Sequence, residues 1–115
     1  MTGKILIVDD VATNRIVLKV KLSAAQYQTI MAEDGNQALA LARRMQPDLI
    51  LMDVLMPGRS GLDVCAKLKA DPVTSGIKII LITALDDNDS RMAGLEAGAD
   101  DFLSRPVDEV ALLAR

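Results

Sequence analysis

Short apolar runs rich in branched residues recur along this chain, separated by stretches in which apolar residues return at helical spacing. Ile5-Leu6-Ile7-Val8, Leu49-Ile50-Leu51-Met52 and Ile79–Ile82 are continuous runs of strand length, the pattern of strands buried on both faces of a parallel sheet. Tyr27–Met31 reads as a short second strand and Phe102-Leu103 as a fifth. The intervening segments read as helices. Roughly residues 13–25 place Leu18 and Leu22 on one face, with Lys19 and Lys21 turned away. Gly35 opens a helix in which Ala38, Leu41, Ala42 and Met45 repeat, and Pro47 stops it. Pro57-Gly58 and Gly61 mark a loop before a helix carrying Leu62, Cys65 and Leu68, which Asp71-Pro72 ends. Asp86–Asp89 leads into a fourth helix that stops near Gly98, a C′ glycine. Pro106 suits the first turn of a fifth helix holding Val107, Val110, Ala111 and Ala114. Strands alternating with helices predict an α/β fold, a doubly wound parallel sheet with right-handed crossovers.

In such a sheet, ligands gather at the carboxyl ends of the strands. The first strand ends in Asp9-Asp10 and the third in Asp53. The fourth ends in Thr83-Ala84 and the fifth in Ser104-Arg105. If the first and third strands are neighbours, three carboxylates meet at one edge. Their repulsion is relieved by a hard divalent cation on oxygen ligands, which points to Mg²⁺. Three acids, the Thr83 hydroxyl and one fixed cation can together bind a metal and a phosphoryl group. One acid can attack phosphorus, while the hydroxyl and the cation hold the phosphate oxygens.

Bulk properties narrow the choice. The chain has 115 residues, half of them hydrophobic, enough for one domain with its own core. No apolar stretch is long enough to span a bilayer, and, with Lys4 leading straight into a strand, no signal peptide is expected. Thirteen basic and sixteen acidic residues give a net charge of −3, against direct nucleic acid binding through a basic face. The chain has one Cys and no His, so an internal disulfide and the commonest general base are excluded. A reducing cytoplasm is the expected location. Asp86, Asp87 and Asp89 are read as charges favourable to a helix start, and Cys65 as a small packed hydrophobe. Met56 is expected near the mouth of the site.

With these residues in order, the chain resembles the CheY-like receiver domains of two-component response regulators. The resemblance rests on Val8-Asp9-Asp10, Asp53 followed by Met56-Pro57-Gly58 and Gly61, Thr83-Ala84, Gly94, Gly98-Ala99-Asp100-Asp101-Phe102 and Arg105-Pro106. It covers essentially the whole chain. It implies a flavodoxin-like five-stranded sheet with strand order 2-1-3-4-5. It implies that Asp53 accepts a phosphoryl group from a histidine kinase or phosphotransfer protein. Mg²⁺ would be held by Asp10, Asp53 and the Leu55 carbonyl, with Asp9 acting mostly through water. Thr83 and Phe102 would be switch residues, and Arg105 would stand where the family carries Lys. The Arg105–Pro106 peptide would be cis. The fourth helix, fifth strand and fifth helix would form an output or dimerisation face. Such a domain signals rather than catalysing turnover of a substrate, although it assists its own phosphorylation and dephosphorylation.

A narrower likeness links Leu68–Thr74 and Leu81–Asp86 to the first receiver of PleD-type regulators, which carry a diguanylate cyclase output domain. Residues 1–115 are therefore expected to be one receiver domain cut from a longer protein, with the end of the last helix missing. Arg105 leaves an alternative open, because Arg and Lys differ in shape and donor geometry. That alternative is a pseudo-receiver working as a phosphorylation-independent interaction module. Other reactions fit less well. An FMN carrier would place a phosphate where Asp9-Asp10 repels it. A phosphatase of the haloacid dehalogenase type needs an acid where Leu55 stands. Neither G-x-G-x-x-G nor a Walker A loop is present.

Overall fold

The computed structural model describes residues 3–54, 56, 58, 60–83 and 96–104, with Thr83 and Ser104 described by backbone alone. The fourth helix up to Leu95, the fifth helix, Leu55, Arg105 and the Arg105–Pro106 peptide lie outside the described residues. The described elements are β1 (Lys4–Val8), α1 (Ala12–Ala24), β2 (Gln28–Ala32), α2 (Gly35–Met45), β3 (Leu49–Asp53), α3 (Gly61–Ala70), β4 (Lys78–Thr83) and β5 (Asp101–Ser104). The strands form one sheet in the order β2-β1-β3-β4-β5, and every pairing is parallel. Fold class and strand order are as expected.

The sheet divides the core in two. Alternate strand residues point to opposite faces. Leu6, Val8, Ile50, Met52, Ile79, Leu81 and Phe102 pack with Ala38 and Ala42 of α2 and with Val64, Cys65 and Leu68 of α3. Ile5, Ile7, Leu51, Ile80, Ile82 and Leu103 pack with Leu18 and Leu22 of α1. Burying a Leu or Ile side chain contributes roughly 1.5–3 kcal/mol, so both layers hold the strands firmly in register.

Element ends follow local chemistry. Asp34 caps α2, accepting the Gln37 N–H at 2.8 Å, while the Gln37 side chain accepts the Glu33 N–H at 2.9 Å. This is close to a reciprocal capping box. Gln46 ends α2 in the left-handed region at φ 47°, just before Pro47. Ser60 caps α3 through the Asp63 N–H. β2 starts one residue later than the apolar pattern suggests. The Tyr27 N–H closes the α1 turn on the Leu22 carbonyl at 3.1 Å, and Gln26 stands at φ 71°. Pairing with β1 therefore begins at Gln28. Past α3, Asp71 pairs with Arg43 of α2, and buried Thr74 donates its hydroxyl to the Leu68 carbonyl at 2.7 Å. These contacts shape the longer connection to β4. Gly98 has φ +94°, as a C′ glycine requires.

Candidate functional site

Register brings the acids together. Val8 of β1 is the partner of Met52 of β3, so the next residues, Asp9 and Asp53, leave the same sheet edge side by side. One carboxylate oxygen from each of Asp9, Asp10 and Asp53 lies within 4.8 Å of the others. Asp9 is 1 % exposed and Asp53 9 %, while Asp10 faces solvent. At an effective dielectric of about 20, two carboxylates at that separation repel by roughly 3 kcal/mol. An all-oxygen donor set of this charge and spacing fits Mg²⁺.

The backbone around the acids is well tied. The Asp9 N–H donates to the Ala32 carbonyl at 3.2 Å, which prolongs the β1–β2 ladder. Asp9 Oδ1 accepts the Val11 N–H at 2.9 Å. Helix α1 has Val11 as its N-cap, without a side-chain cap, so the Asp9 carboxylate stands at the positive end of the helix dipole instead. Arg15 donates to the Asp9 carbonyl at 2.7 Å and lies 3.8 Å from the Glu33 carboxylate.

On the other side, Asp53 ends β3 opposite Ile82. The chain then turns back over it. The Val54 N–H donates to the Ile82 carbonyl at 3.0 Å, and the Gly61 N–H to the Val54 carbonyl at 2.8 Å. A Cβ on Gly61 would stand 2.1 Å from the Asp53 carbonyl oxygen. Gly61 therefore serves a close backbone approach, which holds α3 down on the Asp53 peptide. Gly58 adopts φ +81°, which favours glycine.

The remaining sequence candidates fall as follows. Thr83 ends β4 one residue past Ile82, paired with Ser104 of β5, so it reaches the acidic edge by backbone position. Phe102 is buried in the α2/α3-side cluster. Met56, expected at the mouth of the site, is buried in that same cluster, where its apolar side chain leaves water. Leu55 and Arg105 lie outside the described residues. The sequence reading missed Arg15. Its signal was position: it lies three and seven residues before Leu18 and Leu22, on the buried side of α1, where an arginine needs acceptors.

A parallel sheet of this order, carrying clustered aspartates at the β1 and β3 ends, can be compared with known proteins. The response regulator receiver domain family model matches residues 5–115. The chain belongs to the response regulator receiver domain family. PleD of Caulobacter vibrioides is 52 % identical over 115 residues, covering 100 % of this chain and 25 % of PleD. The chain thus spans about a quarter of that relative. CheY4 of Vibrio cholerae aligns with a TM-score of 0.92 at 28 % identity, over 99 % of this chain and 95 % of that one. The receiver domain of the sensor histidine kinase PA1611 from Pseudomonas aeruginosa was solved with a magnesium ion coordinated in its active-site cleft. It aligns with a TM-score of 0.90 at 30 % identity, over 99 % of this chain and 93 % of that one. This receiver is accordingly a signalling domain of two-component systems. Receiver domains bind Mg²⁺ at an acidic site and interact with histidine kinases or phosphotransfer proteins. No described helix is long and apolar enough to cross a membrane.

Proposed function

We propose that Asp53 is the phosphoacceptor of this receiver. The observation that carries the reading is the convergence of Asp9, Asp10 and Asp53 at one sheet edge. Asp10, Asp53 and the Leu55 carbonyl would hold Mg²⁺, with Asp9 behind them. Bound there, Mg²⁺ supplies positive charge opposite the phosphoryl oxygens. An Asp53 carboxylate oxygen attacks phosphorus, the bond from phosphorus to the donor breaks, and an acyl phosphate remains. Thr83 and Arg105 stabilise its oxygens, and Phe102 follows Thr83 in a two-state switch. As the resemblance implies, the fourth helix, β5 and the fifth helix would carry the output, and in the full-length protein a diguanylate cyclase is the output domain suggested by PleD. Incubation with acetyl phosphate and millimolar Mg²⁺, read by intact mass, should add one phosphoryl group to the wild type and none to Asp53→Asn. Because Arg105 stands in the place of Lys, a pseudo-receiver is the competing reading. An unchanged wild-type mass supports it.

The partner surface is read from α1. Ile16 and Val20 are 57 % and 62 % exposed, and Val17 is also exposed. They form an apolar ridge opposite the buried Leu18 and Leu22. Arg15, Lys19 and Lys21 lie on the same helix, which has no acidic residue. The ridge starts beside Asp9 and Asp10, so a partner seated on it can present a phosphohistidine to Asp53. Two like-charged copies of α1 would repel, which favours an acidic-rimmed helix of the phosphodonor. Val20→Asp should slow transfer from a phosphorylated histidine phosphotransfer protein about tenfold or more, as for a central interface anchor, and leave labelling by acetyl phosphate unchanged. Equal loss with both donors would count against the ridge as a docking surface.

A further inference from the structure

At the amino-terminal ends of β4 and β5, away from the acidic edge, Lys69 in the last turn of α3 reaches across to two other segments. Its Nζ donates to the Ile77 carbonyl at 2.8 Å, the Ser75 carbonyl at 3.4 Å and Asp100 Oδ2 at 2.9 Å. The same Oδ2 accepts the Ile79 N–H at 2.8 Å, and the Asp100 N–H donates to the Ile79 carbonyl at 2.9 Å. Asp100 thus grips both polar groups of Ile79, one residue before the first β4–β5 pair, Ile80 with Asp101. Gly98 lies against the Lys69 stem, where a Cβ would stand 3.0 Å from Lys69 Cγ. One turn earlier on α3, Cys65 directs its thiol to the Ala97 carbonyl at 3.6 Å. Partial burial raises the Asp100 carboxyl, but the Ile79 N–H and the Lys69 ammonium outweigh it and hold the group below its usual range. The Asp100 carboxyl is therefore ionised at neutral pH. Burial pushes the Cys65 thiol up to about 11.

We propose that Lys69 and Asp100 form a latch: residues 97–101 lift from α3 as a local unit, and this charged pair sets how often they do so. Cys65 is uncovered in the open state and reports it. The latch also fixes the register of β5, which delivers Phe102 into the cluster that holds Val54 and Met56 beside Asp53. Local opening below the global unfolding free energy is a general property of such units. The proposal does not depend on phosphorylation of Asp53, and its test uses none.

Alkylation of Cys65 by iodoacetamide at pH 8, followed by intact mass across low urea concentrations, reads the opening. In the wild type the rate should be nearly independent of urea, since a small opening exposes little surface. A urea slope equal to that of global unfolding overturns the latch. Lys69→Met should speed alkylation about fivefold to tenfold, the effect of losing a charge-assisted hydrogen bond. That increase should exceed the change in its global unfolding constant. Asp100→Asn keeps an acceptor for the Ile79 N–H and should speed alkylation less. The double variant should match Lys69→Met rather than the product of the two effects. Rates that rise only in proportion to global unfolding, or multiply in the double variant, refute the proposal.

Discussion

Gly61→Ala is expected to destabilise this receiver by roughly 3 kcal/mol, near the upper end for overpacking. Its melting temperature should fall by roughly 10 °C or more. Two effects compete. Alanine is the better helix former by about 1 kcal/mol in a helix interior, and Gly61 is the first residue of α3. Against that, the new Cβ would lie 2.1 Å from the Asp53 carbonyl oxygen, 2.9 Å from its carbon and 3.0 Å from Val54 Cα. All three are backbone atoms and cannot rotate away. The clash outweighs propensity, and relief requires α3 or the end of β3 to move. On the proposed reading, acetyl phosphate labelling of Asp53 should slow along with the loss of stability. Gly76→Ala is the control, because nothing lies within 4 Å of a Cβ there. Thermal melts of the two variants check the expectation, and equal melting temperatures would refute the close-approach argument.

The second large effect concerns charge. Without divalent cation, Asp10→Asn should melt at or above the wild-type temperature, since it removes one of three mutually repelling carboxylates. Mg²⁺ should reverse the order. Binding only to the folded state stabilises by about 2.7 kcal/mol at a hundred times Kd. The wild type should therefore gain several degrees in millimolar Mg²⁺, and Asp10→Asn should gain far less. Differential scanning fluorimetry with and without Mg²⁺ measures both. A wild-type melt that is flat in Mg²⁺ would remove the acidic cluster as a cation site.

Strands with both faces buried are written as continuous apolar runs, so β1, β3 and β4 were legible from Ile5–Val8, Leu49–Met52 and Ile79–Ile82. The acids that end two of them were legible for the same reason. A parallel register turns the end of a run into a position at the sheet edge. Contacts between distant segments were not legible. Lys69 and Asp100 are 31 residues apart, and neither the length of α3 nor its pattern says where its last lysine reaches. Gly61 read as a loop glycine, because the Asp53 carbonyl it touches can be placed only once the chain has turned back. In α1, Leu18 and Leu22 compete with Ile16, Val17 and Val20 for the inward direction. Spacing alone does not show that both faces are apolar, one inside and one out.

The sheet also acts as a partition between the two proposed jobs. Helix α1, with its outward ridge, rests on the layer built from Ile5, Ile7, Leu51, Ile80, Ile82 and Leu103. Phe102 and Met56 rest on the opposite layer. If α1 docks the phosphodonor and Phe102 switches, as proposed above, changes that retune which phosphodonor is recognised can accumulate in α1 and its own layer without disturbing Phe102. Paralogous receivers in one cell could in this way diverge in wiring while keeping a common readout.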